Sequence, residues 1–582
     1  MTPRRDLLRL LAAGAALGVV PRLARADAAA DLYALPRAGN VRILHLTDTH
    51  AQTRPVLFRE PSSNLGLGAA AGRPPHLVGE ALLGYFGVPV GGRRAYAFTY
   101  LDFEEAAHRY GTLGGFAHIK TLLDRLRAEA GPGNTLTLDG GDLLQGSALA
   151  NATQGAALIE LANALGIEAM TGHWEFTYGE EQLRRNIAAF HGDFLVQNVF
   201  LTDEAAFNGA ASFDAASGRV FRPYVVKQVG GRRIAVIGQA FPYVPIAHPR
   251  RFVPDWSFGI HAAELQLAVD AAHDKDRADA VVLLSHNGMD ADLKLAGMIS
   301  GIDIILGGHT HDAVPTPSVV ANPGGRTLVA NGGSNGKFVG VVDLDVGEGR
   351  VGGVRYTLLP VFSNLLPADP AMAQQVARLH APSDAALGEE LAQAGTLLYR
   401  RGNFDGTMDR LICDALRQQM NAEIALSPGF RWGPSVLPGA PITLGDVMAQ
   451  TAILYPDVYV RTMTGAEIRG TIEDVCDNLF NPDQFLQQGG DMIRVGGMSY
   501  VCAPANPMGR RISGLTLDSG APVEAGKSYR VASWASVTLP QGGTPVWEVV
   551  ATHLRGRGTV TPSTTSQVKI EGVSGNPGYA AT

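Results

Sequence analysis

The sequence predicts a two-domain α/β protein, and three observations carry that expectation. A chain of 582 residues is too long to close around one hydrophobic core. Over its first two thirds, apolar runs of strand length alternate with segments of helical periodicity. The strand-length runs end in small clusters of Asp, His, Asn and Gly, as in α/β sheets whose chemistry sits at the carboxyl ends of strands.

Residues 1–26 read as a targeting segment rather than fold. Arg4 and Arg5 precede an apolar run from Leu10 to Val20, and Ala24-Arg25-Ala26 offers a small-x-small cleavage site. The pattern is similar to a twin-arginine signal, with Pro3 as a departure from it, and export to the periplasm is expected. No later run reaches about 18 uninterrupted apolar residues, so no membrane-spanning helix is expected.

The first domain is expected over 27–365. Arg42 to Leu46 is a buried strand ending at Asp48-Thr49-His50, and 51–111 is a long, irregular Gly/Pro-containing stretch. Gly114 to Ala128 has one apolar helix face, formed by Phe116, Ile119, Leu122, Leu123 and Leu126. Thr135 to Leu138 is a strand leading into Asp139-Gly140-Gly141-Asp142. Further strands are Arg233 to Gly238, Ala280 to His286 and Ile302 to His311. A polar linking helix is expected within 366–396, and a second domain, for substrate recognition, over 397–582.

Composition narrows the function. Hydrophobic residues make up 46% and charged residues 18%, as in a folded globular chain. A net charge of −7 without a basic run argues against nucleic-acid binding. Cys413, Cys476 and Cys502 are the three cysteines and include no CxxC pair, which excludes a thiolate zinc site of the usual spacing and a disulfide-built scaffold. Cys413 lies in a helical pattern and reads as a buried structural thiol.

Five segments carry the chemistry: Asp48-Thr49-His50, Gly140-Gly141-Asp142, Gly172-His173-Trp174-Glu175, Ser285-His286-Asn287 and Gly307-Gly308-His309-Thr310-His311. One histidine at a strand end means little. Two carboxylates and five imidazoles recurring in order after strands suit a site for two transition metals, with a shared Asp between them.

This series is similar to that of the calcineurin-like metallophosphoesterases, in their two-domain 5'-nucleotidase branch. The resemblance implies a two-sheet β-sandwich flanked by helices, followed by a C-terminal α/β domain of 5'-nucleotidase type. It implies that Asp48, His50 and His311 bind one metal, that His173, His286 and His309 bind the other, and that Asp142 bridges both. Nucleotidases carry Asn-His where this chain has His173-Trp174, so the histidine that assists phosphoester cleavage is missing. Asp142, His173 and Trp174 are the candidate catalytic residues.

Longer blocks, among them MTGHWEFTYG, LLSHNGMDADLKLA and QQGGDMIRVGGMSY, resemble the thiosulfohydrolases of the bacterial sulfur-oxidation (Sox) pathway. That resemblance implies release of sulfate from a cysteine S-thiosulfonate on a carrier protein, SoxYZ, with two manganese ions as cofactor (zinc or another divalent metal is compatible with the ligands). Two metals suit hydroxide attack on the terminal sulfonate sulfur, and the persulfide leaving group needs little protonation, which fits Trp174 in place of His. Arg431, Asn403 and Arg494 are the candidate substrate-binding residues, and Met492 falls where nucleotidases carry a base-stacking aromatic. A monomer is expected. A periplasmic 5'-nucleotidase or cyclic phosphodiesterase and a non-catalytic binding protein are the competing readings.

Overall fold

The computed structural model describes residues 32–539, 542–565 and 567–580. The targeting segment expected at 1–26 lies outside them. The first region is built on two six-stranded sheets. One runs in the order Arg350–Pro360, Phe338–Gly347, Val41–Leu46, Thr135–Asp139, Ala169–Met170, Asp193–Phe194. Its last four strands are parallel, and the hairpin of 338–360 joins Val41–Leu46 antiparallel. The other runs Ser318–Asn322, Gly325–Asn331, Ile304–Gly307, Ala280–Ser285, Arg232–Gln239, Tyr224–Val229, with its middle four strands parallel.

Strand alternation shows how the sheets pack. Val282 and Leu284 enter a large core shared with Ile43, Leu136 and Val341 of the first sheet. Val281 and Leu283, pointing the other way, pack under the helices Ala262–Asp274 and Met289–Ala296. Both faces of Ala280–Ser285 are therefore buried, which is why this strand reads as an unbroken apolar run. The helix expected from Phe116 runs Phe116–Ala130, and its predicted face is buried. A buried bidentate pair, Arg42 Nε and Nη2 to the two oxygens of Asp343 (2.7 and 3.0 Å), fixes Val41–Leu46 against its antiparallel neighbour.

The stretch 51–111 is less irregular than its sequence implies. It holds three short helices, Gly79–Phe86, Arg93–Phe98 and Phe103–Tyr110. They are too short to be stable by propensity. Burial of Tyr96, Phe98, Phe103 and Tyr110 in the main core supports the last two, and Leu83 of the first packs with Val88 and Ala95 in a small separate cluster. The same stretch is stitched to the second region: Leu65 N donates to Asn403 Oδ1 (2.6 Å), Asn64 N to Gly578 O (2.8 Å), and the Arg59 guanidinium lies between the rings of Tyr100 and Tyr399.

Within 366–396 the structure has a helix, Pro370–Leu387, capped by the Asp369 carboxylate, and then a strand, Glu390–Ala394. That strand pairs with Pro441–Thr443 and Thr559–Val560 of the second region. The second region's main sheet runs Val458–Thr464, Ser528–Trp534, Ile424–Gly429, Asp491–Gly496. Cys413 is buried between this sheet and its helices, and Cys476 and Cys502 are buried as free thiols. Among the described residues no helix is long and apolar enough to cross a membrane.

Candidate metal centre and substrate cavity

Five strand ends converge. Asp48 and His50 follow Val41–Leu46, Asp142 follows Thr135–Asp139, and His173 follows Ala169–Met170. His286 follows Ala280–Ser285, and His309 and His311 follow Ile304–Gly307. Each ligand thus sits just past the point where a buried strand frees its backbone from the sheet. The backbone there is unusual. Asp48, His50, Asp142, His309 and His311 all have φ between +46° and +70°, a region that costs a non-glycine residue energy and persists only where the surroundings enforce it. The enforcing bonds are His50 N to Asp142 O (2.8 Å), Asp48 N to Gly141 O (2.9 Å), and His309 N to the Asp48 carboxylate (3.0 Å). Gly308 is required in the same turn, because a Cβ there would lie 2.2 Å from Thr47 Oγ1 and 2.6 Å from Asp48 Oδ2.

The side chains form two buried groups, Asp142, His173, His286, His309 and Asp48, His50, Asp142, His311, each with its ligand atoms within 4.8 Å of one another. Asp142 belongs to both. Its Oδ2 lies 3.1 Å from His286 Nε2, 3.3 Å from His173 Nδ1 and 3.5 Å from His50 Nε2, while its Oδ1 accepts from Trp174 N at 2.9 Å. His50 Nε2 faces His311 Nε2 at 3.0 Å, and Asp48 Oδ1 is 3.3 Å from the latter. His286 Nδ1 donates to Gly140 O at 2.6 Å, which leaves Nε2 facing Asp142 and free to take a cation once its proton is lost. Nitrogen and carboxylate lone pairs converging on two points in a buried site fit two cations, and the mixed imidazole and carboxylate donors fit transition metals.

Electrostatics agree with a shared anion. Burial would raise the Asp142 carboxyl, but His173, His286 and His50 outweigh it and hold the group well below the usual range. Burial would lower His286, yet the Asp142 and Asp48 carboxylates push it up to about 10 in the metal-free centre. Metal binding must therefore displace that proton. Glu175, in the same motif as His173, accepts from the backbone N–H of Leu143, Leu144 and His173 and braces the Asp142 turn.

Above the ligands lies a cavity of about 170 Å³ between the two regions, lined by ligand imidazoles, Trp174, Phe241, Tyr243, Phe430, Arg431 and Trp432. Arg431 is buried; among the described residues its guanidinium makes no hydrogen bond or close ion pair, and the Asp491, Asp312 and Asp48 carboxylates act on it from farther off. Trp174 packs into the second region's core, 5.1 Å from Trp432 and 4.6 Å from His248. Trp432 stacks with His50 (5.1 Å, 24°) and with Phe430 (4.4 Å, 22°).

Three expected residues lie elsewhere. Arg494 is buried in ion pairs with Asp409 and Asp491, both 3.2 Å, and does not line this cavity. Asn403 gives its amide to Asp491 Oδ1 and its oxygen to Leu65 N, so it holds the inter-region stitching together and borders only a smaller adjoining cavity. Met492 is fully buried in the second region's core and cannot stand at a base-stacking position. Both it and Arg494 lie in the central sheet, in Asp491–Gly496, which turns their side chains into the protein.

Other residues of the site had escaped the sequence. His248 stacks on His173 (5.4 Å, 7°), and neither of its ring nitrogens has a partner among the described residues. Phe241 stacks on His309 at 4.2 Å. Gln488 and Gly489 meet His309 from the second region. The aromatic ones carry no motif, and the two loop residues act through backbone.

Residues 41–313 match the calcineurin-like phosphoesterase model and 391–548 the 5'-nucleotidase C-terminal domain model. The sulfate thiohydrolase SoxB of Thermus thermophilus is 35% identical, with a TM-score of 0.85, covering 92% of this chain and 98% of that one. A 5'-nucleotidase precursor from Thermus thermophilus shares the fold, with a TM-score of 0.70 at 23% identity, over 91% of this chain and 99% of that one. The trifunctional nucleotide phosphoesterase YfkN of Bacillus subtilis is 25% identical over 75% of this chain and 31% of its own length. The chain spans about half or less of the length of the curated relatives it matches first. With its two matched models in order, its paired His/Asp groups and a relative 35% identical across nearly all of both chains, this chain belongs to the calcineurin-like phosphoesterases that carry a 5'-nucleotidase C-terminal domain, in the branch that includes SoxB.

Proposed function

We propose that this chain is a periplasmic thiosulfohydrolase that uses two divalent cations, manganese as the resemblance implies, to release sulfate from the S-thiosulfonated cysteine of a carrier protein of the SoxYZ kind. The observation that carries this reading is Arg431: a buried guanidinium that makes no hydrogen bond or close ion pair among the described residues, beside the ligands, in a cavity of about 170 Å³. The Asp491, Asp312 and Asp48 carboxylates act on it only from farther off, and an oxyanion would supply the direct contact it lacks.

When bound, the cations lower the pKa of water and neutralise charge developing on sulfonate oxygens. The rest falls to the chain. Asp48, His50, His311, His173, His286 and His309 would hold the two ions, with Asp142 between them. Arg431 would bind a sulfonate oxygen and orient the terminal sulfur. Water adds to that sulfur and the S–S bond breaks, so that Cys–S–SSO₃-type substrate, written Cys–S–S–SO₃⁻, plus water gives Cys–S–S⁻, sulfate and two protons. Trp174 has no proton to give at neutral pH, and none is needed for a persulfide, which is far more acidic than a ribose alkoxide. The aromatic wall excludes water from the leaving sulfur.

The competing reading, a 5'-nucleotidase or cyclic phosphodiesterase, draws on the C-terminal domain match. It draws little from Trp432, whose ring is already stacked with His50 and Phe430. The test is sulfate release from S-thiosulfonated carrier beside a panel of 5'- and cyclic nucleotides. Metal-dependent sulfate release is expected, with nucleotide kcat/KM lower by about two decades or more, or ~2.7 kcal/mol. Nucleotide turnover equal to or above carrier turnover would sink the proposal.

A further inference from the structure

His286 and His309 belong to the same metal group, and each has one ring nitrogen tied to a backbone carbonyl. For His286 the carbonyl is Gly140, in the first domain. For His309 it is Gln488, in the second domain, 3.1 Å from Nε2. A carbonyl oxygen can only accept, so Nε2 must carry the hydrogen, and Nδ1 is left with the lone pair for a cation. Phe241, stacked on the ring at 4.2 Å, holds its plane.

The carbonyl reaches this position because of Gly489. Its φ is +73°, and a Cβ there would lie 2.3 Å from His309 Nε2 and 2.8 Å from Arg431 Nη2. The neighbouring Gly490 has a similar φ, +81°, but a Cβ on it would meet nothing within 4 Å. Of two adjacent glycines with the same backbone demand, only the first is also required by contact with the site.

We propose that the Gln487–Gly490 turn is a positioning element for the metal centre: the Gln488 carbonyl fixes the tautomer of His309, so that loading of one of the two metals depends on the seating of the second domain. His50 meets the second domain by stacking on Trp432, but among the described residues His309 is the ligand whose ring nitrogen is hydrogen-bonded to it. Backbone partners of ligand imidazoles typically govern metal affinity by about 10–100-fold.

The experiment titrates Mn²⁺ alone into metal-free protein by calorimetry, for the parent, Gly489→Ala and Gly490→Ala. Gly489→Ala should weaken one of the two binding events about tenfold or more and leave the other within about twofold. Gly490→Ala, with the same cost in backbone conformation, should keep both. Unchanged binding in Gly489→Ala, or an equal loss in Gly490→Ala, would overturn the proposal. A second measurement does not depend on any variant folding: imidazole ¹⁵N shifts of His309 in the metal-free parent should show a protonated Nε2, and a protonated Nδ1 refutes it. Neither measurement uses substrate, so both stand apart from the thiosulfohydrolase reading.

Discussion

The two walls of the cavity are made of different materials. The first-domain wall supplies seven ionisable side chains in two groups, held by turns in which five of the seven have left-handed backbone. The second-domain wall supplies no carboxylate or imidazole to those groups. It offers a buried guanidinium, Arg431, two stacked rings, Phe430 and Trp432, and one backbone carbonyl from Gln488. The first wall stores strain and buried charge to fix two points in space. The second shapes what can approach those points, and it can change without disturbing the ligands. This division explains how one metal centre can serve relatives named for phosphoesters and for sulfate release.

The largest effect should come from breaking the first wall at its shared member. Asp142→Asn removes the anion that faces His50, His173 and His286 together. Both metals should be lost from the purified protein, and turnover should fall by more than about two decades, some 2.7 kcal/mol. Metal analysis and sulfate release check this. Two tightly held metals with parental turnover would show that Asp142 is not the bridge.

Breaking the second wall should be milder and different in kind. Arg431→Ala should lower kcat/KM on thiosulfonated carrier by about one to two decades, since a hydrogen bond to an ionised group is worth about 1.5–3 kcal/mol. Metal content should stay at the parental level. Equal turnover across salt concentrations would make Arg431 a bystander, and loss of metal would blur the division between the walls.

The smallest effect concerns what the first wall costs. Asp292 accepts from Ser285 Oγ (2.7 Å) and Asn287 Nδ2 (3.0 Å) behind His286, and burial pushes its carboxyl up to about 7. A carboxyl raised in the folded state favours folding while protonated, and that advantage is lost as pH rises from its unfolded value of about 3.9 through 7. Asp292→Asn removes the titration while keeping an acceptor oxygen. Its melting temperature relative to the parent, measured metal-free, should therefore climb by a few degrees between pH 5 and pH 8, at roughly 2–4 °C per kcal/mol. A pH-independent difference would mean that Asp292 is not ionising in this range.

The legibility of the two walls follows from the same contrast. Asp48, His50, Asp142, His173, His286, His309 and His311 could be read because metal ligation needs particular side chains, and strands buried on both faces deliver them at predictable places. The parallel strands Val41–Leu46, Thr135–Asp139 and Ala280–Ser285 were legible for the same reason, as unbroken apolar runs. The helices of 79–110 were not, because each is too short for propensity to announce and exists by tertiary packing, on the main core or on a small cluster beside it. On the second wall Arg431 was visible as a residue, but its place in the cavity was not. Asn403 and Arg494 stood behind it as weaker candidates in sequence, and only the path of Asp491–Gly496 turned Arg494 inward to Asp409 and Asp491.

The sequence by itself determined the α/β class, the first domain's central strands and the donor atoms for two metals, since these depend on hydrophobic periodicity and on side-chain chemistry that no context alters. The tertiary structure alone decided the rest. It decided that Trp174 would pack into the second domain's core, that Trp432 would stack on His50, that Arg431 would line the cavity beside the ligands, and that the Gln488 carbonyl would reach His309. Those are long-range contacts across a cleft. A stacked ring or a backbone oxygen has no residue pattern of its own, so its role exists only once the two domains are brought together.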